Sequence, residues 1–230
     1  MYRFVMLLTL LCGSVLASPF TPYDAHYELS HGDSVLGEGR ISLTAMGDQQ
    51  YQVGYVSDAS FMFLSDKRSE QSLFRWQDEQ IVPLRYFMER TGSGPDFSEE
   101  SVFDQVAAQI HSRYKDEAAD LPLTLPVYDN ILYMVQLTLD LTAGKQRMEY
   151  QYIRKLKQRD MIYEVIGNDT LTLPYGTVEA VKLQRVRSNN KRQTYLWIAP
   201  QLANAIVKIE HYKEGKLQGG IALKTLAIEQ

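Results

Sequence analysis

Three consecutive residues near the N-terminus, Gly32, Asp33 and Ser34, resemble the Gly-Asp-Ser block in which some serine esterases carry their nucleophile. This chemistry requires a histidine to activate the Ser34 hydroxyl and an acid to orient that histidine. The stretch lies between two segments in which apolar and polar residues alternate. Such esterases carry an aspartate three residues before the catalytic histidine, but the residue three positions before His211 is Lys208. Gly, Asp and Ser also form tight turns. We therefore predict a hairpin turn, and a serine hydrolase is the third of three functional hypotheses.

The histidines show no metal-binding pattern. The four histidines are His26, His31, His111 and His211. They fall in separate predicted strands or turns, without the i, i+4 pairing that places two ligands on one helix face. The only cysteine is Cys12. We therefore expect no metal site and no cofactor.

Three carboxylates, Asp96, Glu99 and Glu100, follow a Gly-Ser-Gly-Pro loop at 92–95. Paired carboxylates perform acid–base catalysis only when burial or neighbouring charges shift their pKa values. The preferred interpretation is a solvated acidic loop. The sequence thus predicts no catalytic residue and leaves the ligand-binding residues undetermined.

Two basic stretches could form a positive patch. They comprise Arg154, Lys155, Lys157 and Arg159, and Arg185, Arg187, Lys191 and Arg192. If the stretches are adjacent, the patch could meet an anionic envelope component. The preferred interpretation is that they form charged outer faces that prevent edge-to-edge pairing. Asn168-Asp169-Thr170 matches a glycosylation sequon, which we interpret as a turn.

Residues 1–17 resemble a secretory signal peptide. Arg3 precedes an apolar run from Phe4 to Leu11, and Val15-Leu16-Ala17 predicts cleavage before Ser18. The run is shorter than the ~20 residues that span a bilayer, and no later segment approaches that length. Leu11 stands where lipidation of Cys12 would require a small residue, so we expect Cys12 to be discarded. The sequence predicts an exported protein that is not integral to the membrane.

The composition favours a single β-rich domain over 18–230. The full chain has 230 residues and a formal net charge of −4, which gives no reason to expect nucleic acid as a partner. A chain of this size can bury a core that is sufficient without disulfides. Fifteen tyrosines lie mainly in strand-like segments, where sheet packing favours them.

A period of two dominates the chain after Ser18 and predicts antiparallel strands. The predicted strands are 23–29, 35–44, 51–55, 70–76, 81–90, 100–105, 108–114, 147–157, 161–167, 178–187, 193–199, 206–212 and 217–228. Loops are predicted at 92–96 and 115–120, and hairpin turns at 168–169, 188–190 and 214–215.

One segment, 129–142, is apolar over most of a helical circumference. Asp129 is its predicted N-cap and Gly144 its terminator. The sequence thus predicts a mainly β fold: a curved antiparallel sheet or open β-barrel (half-barrel), with one long apolar helix on its concave face.

A series of short motifs resembles a family of exported Gram-negative proteins, the domain of unknown function 3108. The motifs are Tyr-x-Ala-x-Tyr at 23–27, Leu36-Gly37, Ile81-Val82-Pro83, Ser101-Val102-Phe103-Asp104, Leu121-Pro122, Asp129, Pro174-Tyr175-Gly176, Val181-Lys182 and Leu196-Trp197-Ile198-Ala199-Pro200. The resemblance covers nearly the whole mature chain and implies a β-rich periplasmic protein without known catalytic residues. Residues 130–133 depart from the family pattern at the start of the helix.

Three hypotheses about function follow. The first is a non-enzymatic protein that binds a lipid or another apolar or amphiphilic envelope molecule, because aromatic strands and an apolar helix could enclose a pocket. The second is an assembly or interaction module with an envelope protein as its partner. The third is the hydrolase that would use Ser34 or the acidic loop.

Overall fold

The computed structural model describes residues 18–32, 34–124 and 126–229, and the predicted signal segment with Cys12 lies outside them. Within these residues the chain forms fifteen strands and one helix. The first eight strands are β1 (Tyr23–His31), β2 (Ser34–Gly47), β3 (Gln50–Phe61), β4 (Leu64–Gln77), β5 (Gln80–Gly92), β6 (Phe97–Asp104), β7 (Gln109–Tyr114) and β8 (Glu117–Pro122). The other elements are β9 (Val127–Tyr128), α1 (Leu132–Thr142), β10 (Arg147–Arg154), β11 (Lys157–Leu173), β12 (Gly176–Arg185), β13 (Arg192–Ala199), β14 (Ala205–Lys213) and β15 (Lys216–Ile228).

All fifteen strands belong to one sheet. Its order is β8-β7-β6-β5-β4-β3-β2-β1-β15-β14-β13-β12-β11-β10-β9. Neighbouring strands are antiparallel, as short hairpin connections require, except that β9 lies parallel to β10. The sheet is open, with β8 and β9 as its edges. The mainly β antiparallel fold predicted from the period-two pattern is confirmed.

The core lies inside the curve of this sheet, around α1. Buried residues from strands of both halves and from the helix form one cluster. Its members include Phe74, Tyr86, Ile110, Leu132, Leu137, Met148, Leu183 and Leu196. Full burial of one such side chain contributes about 1.5–3 kcal/mol relative to leaving it in water. Among the described residues, no helix is long and apolar enough to cross a membrane.

We call strands β1–β8 the first arm of the sheet and strands β9–β15 the second arm. Side-chain contacts join the two arms. Gln158 on β11 donates a hydrogen bond from Nε2 to the Pro122 carbonyl at the end of β8, at 2.8 Å. The backbone N–H of Lys155, in the turn between β10 and β11, donates to Glu99 Oε1 on β6, at 2.5 Å. At these contacts the two arms approach each other and enclose the interior, but their strands do not pair through backbone hydrogen bonds.

The helix is shorter than predicted and less fully buried. It has 11 residues and begins at Leu132 rather than at Asp129. The Asp129 carboxylate does accept hydrogen bonds from the N–H groups of Ile131 and Leu132, at 3.0 and 2.9 Å, as a capping side chain would, but residues 130–131 form a turn before the helix and Ile131 is its N-cap. Gly144, with φ +84°, terminates the helix as predicted.

Two predictions are wrong: the loop at 115–120 and the uninterrupted strand at 147–157. The sequence predicts a loop at 115–120, but residues 117–122 form the edge strand β8, in which only Ala119 and Leu121 are half-buried and the other four residues are exposed, so the period-two signal is weak. The predicted strand 147–157 is interrupted by a turn at Lys155 and Leu156, which both have positive φ. This turn lacks the Gly or Asn that marks such conformations in a sequence.

The turn predicted at Asn168 and Asp169 is also wrong, because both residues lie inside β11. Asp169 accepts a hydrogen bond from the Trp197 indole N–H at 2.9 Å and pairs with Lys182 at 3.1 Å. These contacts hold the extended strand. Trp197 belongs to a second, smaller buried cluster with Tyr27, Val178, Val207 and Leu223.

Candidate functional site

A cavity of about 720 Å³ lies between α1 and the strands β1–β4, β14 and β15. Its walls are mainly aliphatic. The strand residues that line it include Leu29, Leu43, Val53, Ile206, Ile209 and Ile221. Ligand pockets in proteins span ~300–1,000 Å³ and are lined mostly by apolar groups with a few polar ones. The size and chemistry of this cavity are those of a small-molecule site.

One face of α1 lines the cavity. Met134, Thr138 and Thr142 recur every four residues and lie along it, as do Val135 and Leu139. The residues that pack into the core on other sides are Leu132, Tyr133 and Leu137. The nearly all-round apolar pattern thus serves two purposes, because one side fills the core and the other forms a cavity wall.

The start of α1 is fixed to the sheet through Asp129, which is fully buried. Ser72 on β4 donates a hydrogen bond from its hydroxyl to Asp129 Oδ2. Burial raises the pKa of Asp129 to about 7, although the hydrogen bonds from Ser72, Leu132 and Ile131 oppose this shift. The position of the helix at the cavity therefore depends on a buried carboxyl.

Glu70 on β4 is a second buried carboxyl, and it lies at the cavity wall. Its Oε2 accepts hydrogen bonds from the Tyr86 hydroxyl at 2.7 Å and from Asn130 Nδ2 at 2.8 Å. In the described part of the chain, every buried side-chain nitrogen and oxygen has a hydrogen-bond partner. Glu70 thus contributes a polar end to a largely apolar cavity while holding β5 and the turn before α1.

The predicted acidic loop is divided by the structure. Glu99 and Glu100 lie on β6, and Asp96 lies in the loop before it. Glu99 is buried on the inner face, which raises its pKa, while Glu100 pairs with Arg85 at 2.5 Å. The interpretation of these three residues as a solvated loop is therefore wrong for Glu99. The period-two alternation from Phe97 onward carries the signal of its inward position.

Ser34 and the histidines lie apart from the cavity, except for His211. Ser34 is the first residue of β2, at the predicted hairpin, where it lies opposite His31. Asp33 lies outside the described residues. His26 and His111 lie on β1 and β7, each near an aspartate. The residues that the structure describes contain no group of three His, Cys, Asp or Glu side chains able to hold a metal ion.

The second basic stretch lines an open pocket between the end of β12 and the start of β13. We call Arg185, Arg187, Lys191 and Arg192 the cationic cluster; the acidic side chain in the same lining is Asp160. Burial and then the nearby charges of Arg185 and Arg192 lower the pKa of Arg187. Such mutual repulsion is relieved when an anion binds.

A chain of hydrogen bonds connects the cationic cluster with the cavity. Arg187 Nη2 donates to Thr194 Oγ1 at 3.2 Å, and this hydroxyl shares a hydrogen bond with His211 Nδ1 at 3.1 Å. Thr194 is buried, and His211 lines the cavity. Burial and the charges of Arg187 and Arg185 lower the pKa of His211. A cationic site therefore adjoins an apolar cavity.

The first basic stretch is divided between two strands and the turn that joins them. Lys155 lies in the β10–β11 turn, so it does not share a strand face with Lys157 and Arg159. Its ammonium group lies over the rings of Phe97 and Tyr114, 5.5 and 5.2 Å from their centroids. This lysine helps to hold the two arms of the sheet together.

Among solved structures, a β-barrel-like protein of domain of unknown function DUF1849 from Brucella abortus is similar to this chain over most of its length. The TM-score is 0.65 and the identity 10%, covering 93% of this chain and 100% of that one. At this identity the likeness shows the fold alone.

Two more distant structures also match. They are a predicted lipoprotein from Parabacteroides distasonis (TM-score 0.36, 10% identity, 91% of this chain and 96% of that one) and a predicted exported protein with a YmcC-like fold from Bacteroides fragilis (0.33, 10%, 89% and 95%).

The comparison with curated proteins finds no match. The family described as "Protein of unknown function (DUF3108)" matches residues 22–215, which is most of the chain. The resemblance seen in the sequence motifs is thereby confirmed. The chain belongs to the DUF3108 family.

Proposed function

We propose that this protein is a non-enzymatic, periplasmic binder of an amphiphilic envelope molecule whose apolar part occupies the cavity between α1 and the sheet. The observation that carries the proposal is the cavity of about 720 Å³ with aliphatic walls. Covering such walls with an apolar chain removes surface from water, worth roughly 25 cal/mol per Å². The period-3.6 face of α1 supplies one wall and the strands supply the other.

The cationic cluster supports an anionic polar end for this ligand. Arg187 donates a hydrogen bond to Thr194, which shares one with His211 at the cavity wall, so the cationic cluster lies two hydrogen bonds from the cavity. A phosphate or carboxylate would accept hydrogen bonds from a guanidinium with favourable geometry. Export to the envelope, where such amphiphiles are abundant, rests on the signal-like segment 1–17.

Native mass spectrometry tests the proposal. Protein extracted from the envelope is compared with the same protein after unfolding in urea, removal of lipid and refolding. The expected result is a lipid-sized adduct on the extracted protein, absent after refolding and restored by added lysophosphatidylglycerol. Absence of an adduct from both samples, together with no binding of added lysophosphatidylglycerol, would contradict the proposal.

An assembly module that uses a strand edge is our second candidate. The edge strand β8 offers backbone groups for pairing with another chain. However, β8 contains Glu117, Asp120 and Pro122, residues that natural sheets use to prevent such pairing. The cavity therefore supports the binder more directly than this edge supports a partner strand.

A further inference from the structure

The turn between β3 and β4 presents four consecutive large apolar side chains to solvent. We call Phe61, Met62, Phe63 and Leu64 the apolar tip; their exposed fractions are 53%, 81%, 94% and 63%. Turns in soluble proteins usually carry Gly, Asn, Asp or Ser instead. A contiguous exposed apolar group marks an interaction site.

The backbone of the apolar tip is held in place by the loop after β5. Ser93 Oγ accepts a hydrogen bond from the N–H of Ser65 at 2.8 Å and donates to the Phe63 carbonyl at 3.3 Å. Gly92, with φ +130°, permits this approach, because a Cβ there would lie 2.3 Å from the Ser65 carbonyl oxygen. The tip therefore presents its side chains from a fixed hairpin.

Met62 has a left-handed backbone conformation in the turn of the apolar tip. Its φ is +55°, the left-handed region that costs a side chain with a Cβ and that glycine adopts freely. Gln49, Glu79 and Leu156 adopt the same conformation in other hairpin turns of this chain, so Met62 is set apart by its 81% exposed apolar side chain and not by its backbone.

The apolar tip adjoins the cavity. Ala59 and Asp66, which pair across β3 and β4, both line the cavity. Phe61 and Leu64 form a pair two residues further along the same strands, so the tip begins about 7 Å from the Ala59–Asp66 pair. Near the tip, Lys67 forms an ion pair with Asp58 at 2.8 Å. The positive charge of Lys67 offsets the negative charge of Asp58, so this pair would not repel an anionic membrane.

We infer that the apolar tip inserts into the interfacial region of a lipid bilayer and brings the cavity to the membrane surface. The adjacency of tip and cavity favours a bilayer, because the membrane is the source of apolar chains. A stable protein–protein interface buries roughly 800 Å² on each partner, which a narrow four-residue tip does not provide by itself. The transfer of ligand and the argument from adjacency rest on the proposed function, whereas the argument from the exposure and small size of the tip does not.

Flotation with vesicles of phosphatidylethanolamine and phosphatidylglycerol, mixed three to one, tests this inference. The full mature protein is compared with the double variant Met62→Ser, Phe63→Ser. The matched control is Val106→Ser, which changes a 99% exposed apolar residue in the β6–β7 turn. Wild type and V106S are expected to float with the vesicles, and the bound fraction of the double variant to fall about tenfold or more. The positions are exposed, so an unchanged near-ultraviolet circular dichroism spectrum identifies folded variants.

Two outcomes would overturn the inference. One is an equal bound fraction for wild type and double variant, whether both float or neither does. The other is an in-cell crosslink from residue 63 to one saturable protein without vesicle binding, which identifies a protein partner. Flotation that depends on the tip, together with a failure of every variant to bind lysophosphatidylglycerol, would support insertion while contradicting the proposed function.

Discussion

Ser72 on β4 donates a hydrogen bond to the carboxylate of Asp129, which in turn accepts hydrogen bonds from the N–H groups of Ile131 and Leu132. One buried carboxyl thus joins the inner face of the sheet to the start of α1. Since α1 forms one wall of the cavity, this contact sets the position of that wall.

The stability of the protein should depend on the ionisation of Asp129. Its pKa is about 7 in the folded protein, whereas an unfolded aspartate ionises near 3.9. Between these values the folded state binds the extra proton, so the contribution of Asp129 to the free energy of unfolding falls as pH rises from about 4 to about 7.

Asp129→Asn removes this proton but keeps an oxygen that can accept from Ile131 and Leu132. Urea unfolding across this pH range should therefore show that the difference in stability between wild type and variant shifts in favour of the variant as pH rises. A difference that does not change with pH would contradict the assignment.

Removing the Tyr86 hydroxyl should destabilise the protein. In Tyr86→Phe, the buried Glu70 carboxylate loses the donor at 2.7 Å and keeps Asn130. Removing one hydrogen-bond partner of a buried polar group costs about 1–3 kcal/mol, and urea unfolding at constant pH measures the loss. Tyr175→Phe, at a more exposed tyrosine, is the control and should change stability little. Equal stability of Y86F and wild type would show that Glu70 does not depend on this contact.

Filling the cavity should abolish amphiphile binding without unfolding the protein. Thr138 lies on the cavity face of α1, so a phenylalanine in Thr138→Phe would occupy space that the proposed ligand needs. Thr44→Phe is the matched control, because Thr44 is an exposed residue of β2. Isothermal titration with lysophosphatidylglycerol should show binding to T44F and not to T138F, with similar melting temperatures. Binding of equal affinity to both would place the ligand elsewhere.

Arg187→Gln should weaken binding of an anionic amphiphile about tenfold while leaving a neutral one of equal chain length unaffected. The physical reason is the loss of a guanidinium beside a headgroup, a contact that salt should also weaken. Arg113→Gln, at an exposed arginine of β7, is the control. Titrations with lysophosphatidylglycerol and monoacylglycerol measure both effects. Equal losses for the two ligands would mean that Arg187 acts on the fold rather than on the headgroup.

The sequence predicts the sheet well because a period of two is a local signal. It fails at the Lys155-Leu156 turn, whose conformation is held by a distant partner, Glu99, rather than by turn-forming residues. It also places a turn at Asn168 and Asp169, because the indole N–H that fixes Asp169 comes from Trp197, 28 residues away. Contacts of this range leave no local pattern.

The candidate site is only partly visible in the sequence. The apolar face of 129–142 predicts a helix against the sheet, but the same pattern cannot distinguish a helix packed on all sides from one that borders a cavity. The apolar tip does have a signal, because residues 61–64 interrupt the alternation between two strands with four apolar residues. Large apolar side chains in a hairpin turn could have identified it.

Methyl NMR with a spin-labelled stearate tests the central claim most directly. With isoleucine methyl groups labelled, the resonances of Ile209 and Ile221, which line the cavity, should broaden on addition of the fatty acid. Those of Ile162 and Ile166, which lie on β11 and do not line the cavity, should stay sharp. Broadening confined to the cavity residues is the result that the proposed function predicts. Equal broadening of all four resonances, or of none, would contradict it.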